Sequence, residues 1–149
     1  MTVNGWKLYV YPPFDRQLQH LEAQVQALAM KDPARYKEHP VTKLLTTVKR
    51  YISEFIPRDP SAVEFRQGNT LGVDNRHWFR AKFHRRYRLF YRFSSKERVI
   101  IYAWMNDEGT LRKSGSKTDP YHIFRSMLEA GDPPRTMELL LSRAKEMKD

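Results

Sequence analysis

The sequence contains no cysteine among its 149 residues. This absence excludes disulfides, thiolate nucleophiles and cysteine-based zinc sites, and it suits a reducing compartment. The sequence also lacks a signal-peptide apolar region and any apolar run near the roughly 20 residues of a membrane-spanning helix. We therefore expect a cytoplasmic protein with no membrane partner.

Acidic residues are scarce relative to basic residues, with 17 Asp and Glu against 27 Lys and Arg, which gives a net charge of +10. Such an excess favours a polyanionic partner, most often nucleic acid, over a merely solvated basic surface. The length fits one domain spanning residues 1–149, and the 40% of hydrophobic residues supplies a core. The positions of the cations in the fold must show whether the charge binds a polyanion or is only a solvated surface.

The sequence pattern alternates between helices and strands. It predicts a strand over 6–11, a helix over 14–31, and a second helix that begins at Pro40 and ends at Pro57. A long connection over 57–76 holds either one helical turn or a short strand near 63–65, and strands are predicted over 78–93 and 98–105. Asp119 caps a helix that ends at Gly131, and a last helix covers the C-terminal residues. We expect an α+β fold in which helices cover one face of a largely antiparallel sheet and the other face is open.

The segment "HWFRAKFHRRYRLFYRF" at 77–93 alternates aromatic and basic residues. A period of two places the apolar residues of both strands on one face, beneath the helices. The opposite face then carries one cationic set from both strands, which comprises Arg80, Lys82, Arg86, Arg88 and Arg92.

Like charges on paired strands destabilise a sheet, and a bound anion relieves that cost. We therefore expect this face to bind a polyanion, most often nucleic acid. Trp78 and Phe90 could stack on bases, worth about 1–3 kcal/mol per base. Either aromatic residue could instead pack in a core, and packing is favoured for Phe90.

Several further stretches stand in a recognisable order and spacing: "NGW" at 4–6, "FRQGNTLG" at 65–72, and "VIIYAWMNDEGTLRKSGSKTDPYHIF" after the cationic strands. Together they resemble the YhaV family of bacterial type II toxin–antitoxin toxins, a branch of the RelE/ParE superfamily. The resemblance implies a RelE-like twisted sheet with an N-terminal helical hairpin on one face and extra C-terminal helices. It also implies an mRNA endonuclease associated with the ribosome, held in check by a PrlF-type antitoxin of the AbrB/MazE swapped-hairpin class. Promoter DNA would be bound only through the toxin–antitoxin complex.

The resemblance further implies RNA cleavage without metal or other cofactor, in which the ribose 2′-OH attacks the adjacent phosphate. Cations would orient the phosphate and stabilise the transition state, and two proton transfers need an acid and a base. The catalytic candidates carried over from the RelE pattern, together with a histidine that this chain adds, are Arg80, Lys82, Arg88, Arg112, Lys113, Tyr121 and His122. The polyanion would then be RNA, and its predicted binding residues are Trp78, His84, Arg85, Arg86, Arg92 and Lys117. Asp119 could orient a partner or serve only as the cap, and His84 is a further acid or base candidate.

Two other functions are compatible with the sequence. One is a ParE-like inhibitor that binds a protein target, and the other is a nucleic-acid-binding module without catalysis. A metal site at Asn106, Asp107 and Glu108 is disfavoured, because magnesium nucleases normally gather carboxylates from several elements. A polar turn after a strand is the simpler interpretation of those three residues.

Overall fold

A computed structural model describes residues 1–149. The strands are β1 Thr2–Val3, β2 Trp6–Val10, β3 Phe79–Phe83, β4 Tyr87–Ser94, β5 Val99–Met105 and β6 Lys145–Glu146. The helices are α1 Pro12–Lys31, α2 Pro40–Arg50, the short α3 Ile56–Arg58, α4 Pro120–Glu129 and α5 Met137–Arg143. The protein is therefore α+β, as the sequence predicts. No helix combines the length and the apolar character needed to cross a membrane.

The sheet has the strand order β1-β2-β5-β4-β3, and β6 pairs with the second half of β2. All pairs are antiparallel except β2 with β5, so the largely antiparallel sheet is confirmed. A parallel pair needs a long crossover connection, and the chain from α1 to β4 supplies it.

The first face of the sheet packs on α1 and α2. A core of 18 buried residues joins these helices to the strands, and its helical members include Phe14, Leu18, Leu44, Leu45 and Val48. These residues recur at three- and four-residue spacings, the pattern from which the sequence predicts both helices. Pro57 does not end the second helical segment, however, because a π-helical stretch over Tyr51–Phe55 continues into α3.

The second face of the sheet is not open, and that expectation was wrong. A separate core of 10 buried residues joins the sheet to α4 and α5. The Phe90 ring stacks on Phe124 with centroids 4.4 Å apart, and Trp78 meets Phe124 edge-on at 5.0 Å. The cause is an apolar stripe on α4, formed by Tyr121, Phe124 and Leu128 at helical spacing, which removes this part of the sheet from water. Only the part of the face beyond the start of α4 remains accessible.

The C-terminal residues end differently from the prediction. The last helix stops at Arg143, and Ala144 takes an extended conformation that leads into β6. Strand β6 then pairs with β2, and the backbone N–H of Met147 donates to Leu8 O at 2.8 Å. An edge strand offers unpaired backbone groups, and this partner satisfies them.

Candidate active site

Strands β3 and β4 place cations side by side on the second face. Lys82 lies directly opposite Arg88, and Arg80 lies opposite Phe90. Lys82 is exposed and Arg80 is half-buried, whereas Arg88 is only 8% exposed. Like charges in this register repel each other, so the hairpin alone would be destabilised. Neighbouring groups or an anion must offset that repulsion.

Tyr121 accepts hydrogen bonds from two of these arginines. The Nε of Arg80 donates to its hydroxyl oxygen at 2.9 Å, and the Nε of Arg88 donates to the same oxygen at 3.0 Å. Tyr121 reaches this position because it is in the first turn of α4, where the Asp119 carboxylate accepts from the Tyr121 backbone N–H at 3.1 Å. The helix cap thus fixes the position of Tyr121 over strands β3 and β4.

Arg112 completes the arrangement from the long loop after β5. Its guanidinium lies over the Tyr121 ring, 4.8 Å from the centroid, and forms an ion pair with Asp119. Asp119 therefore has both roles that the sequence left open, since it caps α4 and orients a cation. We refer to Arg80, Arg88, Arg112 and Tyr121 as the arginine–tyrosine cluster.

Asn106 supports the cluster, and sequence reasoning did not identify it as a functional residue. The side chain is 1% exposed, and its Oδ1 accepts from the Arg88 backbone N–H at 2.7 Å. Its amide nitrogen donates to the carbonyls of Arg86 and Thr110 at 3.0 and 2.9 Å. These bonds tie the start of β4 to the loop that carries Arg112. A polar residue directly after a fully apolar strand was the available signal.

The arginines are fixed by some of their N–H groups and keep others free. Arg80 Nη1 donates to Glu64 O at 2.9 Å, and Arg88 Nη1 donates to the carbonyls of Arg85 and Tyr87 at 3.0 and 2.9 Å. The Nη2 group of each arginine has no partner in the protein, and the hydroxyl hydrogen of Tyr121 has no acceptor. Fixed, unused donors of this kind suit a phosphate, which presents several acceptor oxygens.

Comparison with known proteins now supplies the family. The family model for a toxin with endonuclease activity, of a toxin–antitoxin system, matches residues 8–145. The chain belongs to the YhaV toxin family. Its similarity extends over 146 residues, or 97% of this chain and 95% of each relative: it is 49% identical to "Toxin YhaV" of Escherichia coli O6:H1 and 48% identical to "Ribonuclease toxin YhaV" of Escherichia coli K12. No solved structure matches.

Membership of the YhaV family makes this protein an endonuclease toxin, which implies an antitoxin as its partner. The endonuclease description favours the enzyme over the two alternatives that the sequence left open. Neither the family match nor the relatives' names assign residues, so the cluster rests on its own geometry.

The turn between β3 and β4 holds three of the predicted RNA-binding residues, His84, Arg85 and Arg86, and all three are exposed. His84 and Arg85 have positive φ values of 46° and 65°, so the chain reverses sharply here. His84 does not join the cluster, because its Nε2 lies 2.8 Å from the Thr47 hydroxyl of α2. Arg86 points the other way, and its Nε donates to Arg112 O at 3.0 Å.

Trp78 and Arg92 do not form the predicted surface. Trp78 is 1% exposed and packs in the second core, so its ring cannot stack on a base. The Arg92 guanidinium is half-buried and donates to Arg135 O at 2.8 Å, and burial lowers its pKa from the ordinary value. The packing of Phe90 is confirmed. The two-residue period of the strands assigned Trp78 and Arg92 to the correct face of the sheet, but α4 covers that part of the face and removes it from water.

The remaining candidates are exposed. Lys113 and Lys117 lie on the loop before α4, and His122 follows Tyr121 in the first turn of α4. None of the three side chains makes a hydrogen bond or ion pair within the protein. They are therefore available to a ligand, although the structure does not tie them to the cluster.

The residues Asn106, Asp107 and Glu108 form a polar turn, as the simpler interpretation held. Asp107 caps a 3₁₀ turn over Glu108–Thr110, and its carboxylate accepts from Gly109 N and Thr110 Oγ1, both at 2.9 Å. Asn106 is fully engaged in holding β4. No group of three or more His, Asp or Glu side chains is arranged to hold a metal ion.

Proposed function

We propose that this YhaV-family toxin is a metal-independent endoribonuclease that cleaves mRNA on the ribosome by 2′-OH attack on the adjacent phosphate. The observation that carries this proposal is the shared Tyr121 hydroxyl, on which Arg80 and Arg88 converge at 2.9 and 3.0 Å. The relative from Escherichia coli K12 is named a ribonuclease toxin, and this supports RNA as the substrate. A RelE-like cleavage surface on the second face would place the reaction beside the start of α4.

The cluster would hold the scissile phosphate through the unused Nη2 groups of Arg80 and Arg88. Both guanidiniums are already oriented by the protein, so little reorganisation is needed as charge grows on the phosphate oxygens. Lys82 adds an exposed cation directly opposite Arg88. Arg112, held by Asp119, would contact the same phosphate or the next one along the strand.

The reaction forms a bond from the 2′-oxygen to phosphorus and breaks the bond from phosphorus to the 5′-oxygen. A base takes the proton of the 2′-OH, and an acid gives a proton to the departing 5′-oxygen, leaving a 2′,3′-cyclic phosphate. The Tyr121 hydroxyl keeps its hydrogen free and is the candidate acid. Lys82 and His122 are the exposed candidates for the base, and Lys113 and Lys117 would follow the RNA along the loop.

The antitoxin implied by the family would be a PrlF-type protein of the swapped-hairpin class. The net charge of +10 favours an acidic segment of that partner. In this scheme the toxin contacts promoter DNA only as part of the toxin–antitoxin complex, in the cytoplasm.

The test uses translating ribosomes supplied with purified toxin, and it measures both the cleavage rate and the chemistry of the new ends. We expect a 2′,3′-cyclic phosphate, and no cleavage at a message position where a 2′-deoxynucleotide replaces the scissile ribonucleotide. A Lys82→Ala, Arg88→Ala double variant should cut at least about 10³-fold more slowly, because two charge-stabilising groups are lost.

The matched control is Lys96→Ala, which removes an exposed lysine in the turn between β4 and β5, outside the cluster. Since Arg88 is buried, Lys82→Ala alone is the second variant, and circular dichroism checks that each variant is folded. The proposal fails if the double variant cuts as fast as the wild type. Products with a 5′-phosphate and a 3′-hydroxyl, typical of an activated water, would also contradict it.

A further inference from the structure

A second basic region lies on the first face of the sheet, away from the arginine–tyrosine cluster. It is a groove of about 650 Å³ between α1, α2 and the turn of the β3–β4 hairpin. We call it the lysine groove, and its lining includes Lys37, Thr42, Lys43, Thr47, Lys49 and His84. No carboxylate is among its lining residues.

The charge of the lysine groove distinguishes it from the other large groove of the protein. That groove, of about 610 Å³, is lined by Asp107 and Glu108 as well as Arg16 and His20, so its charges are mixed. In the lysine groove every charged lining side chain is a cation; Lys49 forms an ion pair with Glu22 at 3.8 Å, and Glu38 follows Lys37 in the chain without forming an ion pair. The first turn of α2 also lacks acidic residues. The groove therefore favours an anion.

Thr42 is a buried polar residue of the groove wall. Its side chain is 92% buried, since the residue is 8% exposed, yet its hydroxyl has no hydrogen-bond partner. Leaving a buried hydroxyl unpaired is costly, and most such groups are satisfied by a partner. Less than 1 Å² of the hydroxyl oxygen is accessible, so an anion in the groove contacts Lys43 and the other cations rather than this hydroxyl.

The hairpin turn connects the groove to the cluster. His84 contacts Thr47 of α2 at 2.8 Å on the groove side, whereas Arg86 donates to Arg112 O at 3.0 Å on the cluster side. Arg85 lies between them and is exposed. A strand of RNA that leaves the cluster can therefore pass over three cationic or protonatable residues before it reaches the lysines.

We propose that the lysine groove is a second RNA subsite, which binds backbone phosphates of the nucleotides flanking the scissile one. This inference rests on the proposed ribonuclease function, and it adds that the substrate wraps around the end of the β3–β4 hairpin. Lysine contacts to phosphate carry no sequence information, so the subsite holds and orients RNA without reading its bases. A dinucleotide with a single phosphate cannot occupy both sites.

The test compares two double variants of equal charge. Lys37→Gln, Lys43→Gln alters the groove, and Lys7→Gln, Lys145→Gln alters exposed lysines at the opposite edge of the sheet. Binding is measured with a long, fully 2′-O-methylated RNA, which lacks the nucleophile and is not cleaved. The groove variant should bind on the order of tenfold more weakly, and the slope of affinity against salt should fall by about 1.4, at about 0.7 per phosphate contact. The edge variant should change neither value beyond the effect of net charge.

Cleavage gives the second measurement. The ratio of kcat/KM on a long ribosome-bound RNA to kcat/KM on a dinucleotide should fall about tenfold in the groove variant, because only the long RNA spans both sites. Thr42→Val, which replaces the hydroxyl by a methyl of similar size, is a control and should leave binding of the long RNA unchanged, because the hydroxyl is not accessible from the groove. Its free energy of unfolding should stay level or rise, because the hydroxyl has no partner in the free protein.

Equal RNA affinity for the groove variant and the edge variant would overturn the inference. It would also fail if poly-glutamate lost its binding to the groove variant while RNA did not, since the groove would then be a protein-docking surface. Failure of the proposed function has a different signature: no cyclic-phosphate product would form, yet the groove variant would still bind long RNA more weakly.

Discussion

Tyrosines on the two faces of the sheet have different roles. On the first face the hydroxyls of Tyr91 and Tyr102 donate to the carbonyls of Pro60 and Ile52 at 2.6 and 2.7 Å, and burial raises the pKa of both tyrosines. On the second face the hydroxyl of Tyr121 accepts from two arginines and keeps its own hydrogen free. A buried tyrosine whose hydroxyl donates to a backbone carbonyl stabilises a core. A tyrosine that lies among cations, and whose hydroxyl hydrogen has no acceptor, can act on a ligand.

The difference arises from how far the covering helices reach. Helices α1 and α2 bury the first face, which has a core of 18 residues. The second face has a core of 10 residues, because α4 begins only at Pro120 and leaves the strand ends beyond it uncovered. The cations of β3 and β4 lie at the border of the area that α4 covers. There, hydrogen bonds within the protein fix them, and a ligand can still reach them.

Truncating the first core gives the largest expected effect. Phe14→Ala should lower the free energy of unfolding by about 3–5 kcal/mol, because the ring is fully buried among α1 and the strands. Urea denaturation measures this loss. The cleavage rate per folded molecule should stay at the wild-type value. A slower folded enzyme would show that the two faces are not separable.

A matched pair of hydroxyl deletions comes second. Tyr121→Phe should lower kcat/KM by about 10²-fold, because it removes both the acceptor shared by Arg80 and Arg88 and the candidate acid. Tyr102→Phe should leave cleavage unchanged and cost about 1–3 kcal/mol of stability, because the buried Ile52 carbonyl loses its donor. Cleavage assays and urea unfolding of both variants are compared side by side. If both variants lost activity equally, the contrast between the faces would be wrong.

The smallest effect is expected for Asp119, which lies at the start of α4, at the border of the area that this helix covers. Asp119→Asn keeps a good helix cap but removes the charge that pairs with Arg112, so kcat/KM should fall about tenfold. Stability should change by about 1 kcal/mol or less, since Asn and Asp are comparable caps. Asp119→Ala is the companion variant and should lose the cap as well. Wild-type cleavage by Asp119→Asn would assign the carboxylate to the cap alone.

The sequence was informative wherever a local pattern determined the result. Helical spacing predicted the first core, the period of two predicted the register that sets Lys82 against Arg88, and Asp119 before Pro120 predicted the start of α4. It failed where distant segments compete for one surface. Trp78 has the alternation of an exposed residue, yet Phe124 of α4 covers it. The pairing of β6 with β2, and the role of Asn106, likewise depend on contacts made far along the chain.

By itself, the sequence determined three properties of this protein: its strongly basic charge, its alternating cationic strands and the motifs of the YhaV family. These properties are local, because charge, strand period and helix capping act over a few residues. Only the tertiary structure decided which cations stay accessible, because that depends on where α4 ends its cover of the sheet. It also brought Arg80, Arg88, Arg112 and Tyr121 together, since hydrogen bonds and ring contacts between separate elements exist only once the chain has folded.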